Sequence, residues 1–355
     1  SLLLQRAEAR RKLGRMDDSI QDLERYQILT QYQDTEITKQ ILEYAWLKND
    51  QARLTQLLGN KAVCTGKNAP SCEQYRLIRT LDQGQESTIP YSASFKNTLK
   101  AEKEVQAIWA LIALKNPKKL AFQDRLVLVQ RLSHSWENLN PALQIHLVPK
   151  MISRTGETLE SIRISAPGIA PLTSDSSSIE RRMRLMQELD LAFSKTMKLN
   201  WIDLRRKAII ELTLVYERLV SDLKAINTPE DLMKPFHTKV VEMKAAMDKM
   251  DQMSVVLKAP NADQLLLANE VKASLPESVW VEWKKGVELK QRDYLLHLVN
   301  SYEKSELGTK GIAPILRGLV LLLSGTPSEA LALIESAPDS PWKTTVSQLF
   351  QRRKL

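Results

Sequence analysis

Glycine is scarce in this chain, at 11 of 355 residues, and aromatic side chains make up only 6%. All-β folds need many tight turns and many strand-favouring residues, so this double shortage argues against a sheet protein. The lack of glycine also leaves no Gly-rich strand-loop-helix that could cradle a phosphate. Long apolar runs are missing: the longest, from Gly318 to Leu323, falls far short of the ~18–20 residues of a membrane span. Four histidines, His134, His146, His237 and His297, are scattered without a His-Glu-x-x-His pair or zinc spacing. The serines at 174–178 have no neighbouring base to activate them. The acidic pairs Glu102/Glu104 and Asp17/Asp18 read as helix surface and caps rather than as an acid/base couple. No catalytic residue, metal ligand or cofactor is therefore assigned, and the chain is read as a non-enzyme.

What is present is helix-forming. Leu, Ala, Glu, Lys, Gln, Arg and Met dominate. Hydrophobic residues at 43% and charged residues at 26% are ordinary for a folded chain. The length exceeds the ~250–300 residues at which single cores stop growing, so two to three bodies or one elongated array are expected. The net charge is +9 and the pI about 9.3, which raises binding to nucleic acid or another anionic polymer. Acidic residues interleave with the basic ones, however. The short runs Arg10–Lys12, Arg181-Arg182-x-Arg184, Arg205–Lys207 and Arg352–Lys354 read as solvated helix faces. None carries the interleaved aromatics of a single-strand binding platform, so nucleic acid is not expected as a partner.

The two cysteines are Cys64 and Cys72, separated by turn-forming residues including Gly66, Asn68 and Pro70. A loop can bring them to disulfide distance where a continuous helix cannot. The expectation is a disulfide stapling a loop between two helices, with two unrelated thiols as the alternative. A disulfide implies an oxidising, extracytoplasmic compartment such as the periplasm. No leader is legible, since Leu2–Ala9 already reads as helix, and no compartment follows from that.

Along the chain, residues 1–164 read as stacked helical hairpins interrupted by the cysteine loop. A first hairpin turns at Gly14, with Asp17 or Asp18 capping its second helix. A second pairs Ile37–Lys48 with Gln51–Leu58. Helices are expected over Glu73–Leu81, Ala101–Leu114, Phe122–Leu132 and Pro141–Met151, the last opened by Asn140-Pro141. Two prolines and a serine tract make 165–178 a linker. Residues 179–307 form a long-helix bundle: Ile179–Ile226 as one helix or two, another from Thr228-Pro229 towards Leu257, one capped at Asp263 and running to Leu275, and a long one from Val279 to Leu307. Residues 308–355 are a terminal hairpin and tail.

Two segments resemble the tetratricopeptide repeat. In Lys12–Ile20, Gly14 and Ser19 occupy the family's turn and small-residue positions. In Gly311–Pro338, Gly318 and Gly325 take the small positions of the first helix and turn. Ala330, Ile334 and Ala337 take the small, large and small positions of the second helix. Pro338 or Pro341 stands near the terminal proline, and Pro314 replaces the usual Trp. The resemblance covers about 1–30 and 311–341. It implies an all-α fold of irregular, tetratricopeptide-like stacked hairpins, with ligands along the groove formed by first helices. Groove positions of the last repeat are Ile312, Ile315, Leu319 and Leu322, so apolar that they are expected to be covered. In the first hairpin they are Glu8, Arg11 and Lys12, a candidate partner surface or simply a wet face.

Together these readings lead to an interaction or scaffold protein of an extracytoplasmic compartment, binding protein or peptide partners through helical surfaces. Peripheral association with a membrane or the cell wall is compatible with it. The alternatives are the helical accessory part of a peptidoglycan enzyme, by fold-level analogy, or a basic-surface binder of anionic polymer.

Overall fold

The helix-forming stretches become sixteen α-helices and a few single 3-10 turns, with no strand among the described residues. The computed structural model describes residues 1–13, 15–199, 201–253, 272, 275–288, 292–304, 312–337 and 343–344. Gly14, Asp263, Gly311, Pro338 and Pro341, and most of the helix expected before Leu275, lie outside them. No described helix is long and apolar enough to cross a membrane. Contacts divide the chain into two compact units: Ser1–Arg79 with Asn140–His146 and Val256–Leu355, and Thr80–Leu139 with Leu147–Val255.

In the first unit, α1 (Leu2–Lys12) and α2 (Met16–Leu29) pack as a hairpin. Ser19 is small enough for its hydroxyl to donate to the Ala7 carbonyl at 2.8 Å. Asp22, fully buried, joins the helices through Arg6 Nε and Nη2 at 2.8 and 2.6 Å and Arg10 Nη1 at 2.7 Å. Asp17 and Asp18 are not caps. Arg15 holds the N-cap position, Asp18 pairs with Arg15, and Asp17 accepts from the Tyr44 hydroxyl. The second hairpin, α3 (Thr35–Leu47) and α4 (Gln51–Gly59), follows the expected register. Asp50 caps α4 through the Arg53 amide, and Asn49 takes the left-handed φ of +53° that the tight reversal needs.

The cysteine loop leads into α5 (Ala69–Asp82), longer at its N-terminus than the periodicity predicts. Cys64 and Cys72 form the expected disulfide, with Cα atoms 5.7 Å apart, and no other cysteine is present. Trp46 packs on Tyr75 and edge-on to His146, whereas His134 is exposed.

Residues beyond 275 form two further hairpins. The single long helix expected from Val279 to Leu307 is instead α13 (Glu277–Glu288) packed on α14 (Arg292–Lys304). Gly286 permits this, since a Cβ there would lie 2.6 Å from Leu295 Cδ2. Similarly, α15 (Ala313–Leu323) meets α16 (Pro327–Glu335) where a Cβ on Gly318 would stand 2.5 Å from Ile334 Cγ1. Gly325 turns the chain between them at φ +83°. Ile312, Ile315, Leu319 and Leu322 are all buried by the chain itself.

The second unit begins with α6 (Tyr91–Lys100), α7 (Lys103–Ala113) and α8 (Phe122–Ser135). Next comes α9 (Pro141–Ile169), which belongs to this unit from Leu147 onward; Asn140, of the first unit, opens it, its side chain accepting from the Ala142 amide at 2.9 Å. α9 runs well past Met151, through Pro149 and Pro167, so residues 165–169 are helical rather than loop. Each proline removes one helix hydrogen bond, yet packing holds the segment. Arg125 donates to the Ser161 carbonyl at 2.8 Å, and Arg182 to that of Ala166 at 3.1 Å. The 179–226 stretch resolves into α10 (Ser176–Met197) and α11 (Ile202–Ala225), packed together, and α12 (Glu230–Met253) lies against α11.

Candidate functional site

A cleft of about 590 Å³ opens in the second unit, where side chains of α9, α10 and α11 converge. Its volume falls within the roughly 300–1,000 Å³ of small-molecule sites. The floor is apolar: Leu185 and Met186 from α10 and Val215 from α11 are buried lining residues. Ile164 from α9 and Leu214 from α11 also line it while remaining 59% and 39% exposed.

Three arginines, Arg163, Arg182 and Arg218, add positive charge to the lining, against the one carboxylate of Glu217. Glu217 is engaged by Lys244 at 2.7 Å, and Arg163 by the buried Glu211. Arg182 and Arg218 share a single carboxylate. Arg182 Nη2 lies 2.6 Å from Asp222 Oδ2, and Arg218 Nε lies 2.8 Å from Oδ1.

Arg182 is only 3% exposed. Burial holds its guanidinium below the ordinary arginine value, Asp222 opposes this, and neighbouring Arg218 adds to the depression. Its Nε has no hydrogen-bond acceptor among the described residues. Arg182 therefore departs from the expectation that its basic run is a solvated face. Arg181 and Arg184 are exposed, but Arg182 falls on the side of α10 turned to α9 and α11. Helical periodicity could have flagged this, because Arg182 shares a face with Leu185, Met186 and Leu189.

The other predicted residues stand elsewhere. Arg11 and Lys12 are exposed on α1 and Glu8 is half-exposed. They pair among themselves, Arg11 to Glu8 at 2.6 Å and Lys12 to Glu8 at 3.8 Å. Cys64 and Cys72 join the loop that follows α4 to α5 in the first unit. Glu102 is the N-cap residue of α7 and Glu104 lies in its first turn. Among the described residues, no three or more His, Cys, Asp or Glu side chains gather as a metal site.

A second surface feature lies on α12. Met233, Phe236, Val240, Met243, Met247 and Met250 recur every three or four residues, one face of a helix. Met233 is buried, but the other five are only half-buried against α11.

No protein-family model matches the chain, and neither a curated protein nor a solved structure does.

Proposed function

We propose that this chain is a non-enzymatic, protein-binding scaffold of an extracytoplasmic, periplasmic compartment, and that it holds a partner's amphipathic helix along α12. One observation carries the reading. An apolar stripe at heptad-like spacing is normally covered in a closed bundle, whereas here Phe236, Val240, Met243, Met247 and Met250 keep part of their surface open. The spacing suits a helix laid alongside, which inserts its own side chains at i, i+3, i+4 and i+7. Methionine adapts to partners of varied shape. The compartment rests on the Cys64–Cys72 disulfide, since such bonds persist in oxidising surroundings. The close contact at Gly318 supports reading α15 and α16 as a tetratricopeptide-like pair whose groove face is used internally.

A photo-reactive residue at exposed Val241 tests the proposal in the native compartment. The expected result is a discrete adduct with a different protein, lost in a Met243→Glu/Met247→Glu variant and not formed from a probe at exposed Leu2. Absence of an adduct, an adduct that survives the double substitution, or one formed only with a second copy of the chain overturns it. Two reactive thiols on natively produced protein would remove the compartment assignment.

A further inference from the structure

The α9–α11 cleft combines features that neither packing nor surface solubility requires. Much of its wall is apolar, and two of its lining residues, Ile164 and Leu214, remain exposed although they are large and aliphatic. Two guanidiniums meet on one carboxylate, Asp222. That arrangement carries one positive charge more than it balances, beside a surface that water solvates poorly. Buried charges are ordinarily paired and fully hydrogen-bonded, yet Arg182 Nε lacks an acceptor among the described residues. The third cation of the cleft, Arg163, is matched: it shares Glu211 with Lys207, and Lys207 has Glu160 as a second partner. The excess positive charge is thus localised at Arg182, which is buried, and Arg218, which is open to solvent.

We propose that this cleft binds a small amphiphilic carboxylate of the fatty-acid type, its head group on Arg182 and Arg218 and its chain along Ile164, Met186 and Leu214. A carboxylate is planar and accepts two parallel N–H bonds, which matches the guanidinium fork. The head completes the charge that Asp222 alone leaves uneven. The tail covers the apolar wall, and each buried methylene adds to binding. The cleft volume accommodates one such molecule. Charge and apolar surface are both needed, which separates this ligand from a bare anion and from an uncharged alcohol.

The test uses the full chain and isothermal titration calorimetry below the micelle concentration of each probe. Dodecanoate is expected to bind saturably at one site. Dodecanol and acetate should each bind at least tenfold more weakly, because each lacks one half of the recognition. Arg218→Gln should weaken dodecanoate about tenfold or more, the loss of one charge-assisted contact. Arg218 is 64% exposed at its side chain, so this variant keeps the core intact. Leu214→Glu, on the opposite chemistry of the wall, should weaken it similarly, with far-UV circular dichroism unchanged for both. The proposal is overturned if dodecanoate shows no saturable binding, or if dodecyltrimethylammonium binds as well as dodecanoate. It also fails if acetate matches dodecanoate, or if neither substitution changes the affinity.

Discussion

Replacing Gly318 by alanine sets two opposed effects against each other, and the structure decides which wins. In a helix interior the change gains about 1 kcal/mol, because alanine loses less backbone freedom on folding. At Gly318 the new methyl would stand 2.5 Å from Ile334 Cγ1, 2.8 Å from Cδ1 and 3.2 Å from the Ala330 carbonyl oxygen. Carbon pairs prefer about 3.5–4.0 Å, and the Ala330 oxygen belongs to the backbone of α16, so α15 and α16 must separate. Overpacking of this kind costs roughly 1–3 kcal/mol before the helix gain is subtracted. We expect Gly318→Ala to destabilise by up to about 2 kcal/mol. Ile334→Ala alone should cost about 2–5 kcal/mol. In that background Gly318→Ala should turn stabilising by up to about 1 kcal/mol, a coupling of about 1–3 kcal/mol. Gly156, inside α9, is the control, since its nearest neighbour would be Lys207 Cγ at an ordinary 3.6 Å. Gly156→Ala should stabilise by about 0.5–1 kcal/mol. Urea unfolding followed by far-UV circular dichroism measures all four. A stabilising Gly318→Ala in the parent chain, or an equal penalty with and without Ile334, would refute the argument.

Three further outcomes follow from other parts of the chain. Replacing Cys64 and Cys72 together by serine opens a loop with a sequence separation of 8. Loop-closure entropy sets the expected loss at about 2.5 kcal/mol, and an unchanged unfolding midpoint in urea would contradict it. The hydrogen bond from Arg6 holds the Asp22 carboxyl below its ordinary value, against the opposing effect of burial and with Arg10 adding to the depression. A depressed carboxyl contributes stability above its unfolded-state value of about 3.9 and loses it as pH falls further. The parent should therefore lose stability below about pH 4, and Asp22→Asn should flatten that part of an acid titration. Burial, with a smaller effect of Lys304, pushes His297 down from 6.5 to about 4. The folded state then binds fewer protons than the unfolded chain, so stability is complete above pH 6.5 and falls progressively towards pH 4. His297→Gln should remove that slope, and an unaltered pH profile between these limits would count against it.

The helical class was determined by the sequence itself, because it rests on local propensities and turn residues. The α3–α4 reversal at Asn49-Asp50 and the start of α9 at Asn140-Pro141 are written in short stretches that need no distant partner. The Cys64–Cys72 pairing belongs to the same class, since the loop between them is short and no other cysteine competes. The repeat resemblance, with a helix apolar all round, also marked Ile312, Ile315, Leu319 and Leu322 for burial, as they are.

Tertiary structure decided the rest, wherever a distant group outweighed a local preference. Pro167 signals a helix end, yet α9 continues to Ile169 while Arg182, from another helix, bonds the Ala166 carbonyl. An uninterrupted helical pattern from Val279 said nothing of the hairpin, which depends on Leu295 reaching the bare face of Gly286. Arg182 looked like one cation in a wet basic run. It became a buried group sharing Asp222 with Arg218 only because Asp222 lies forty residues away on α11. The cleft likewise has no local signature, since its lining comes from three helices. Propensity acts within a few residues, whereas charge pairing and close packing depend on which faces the folded chain brings together.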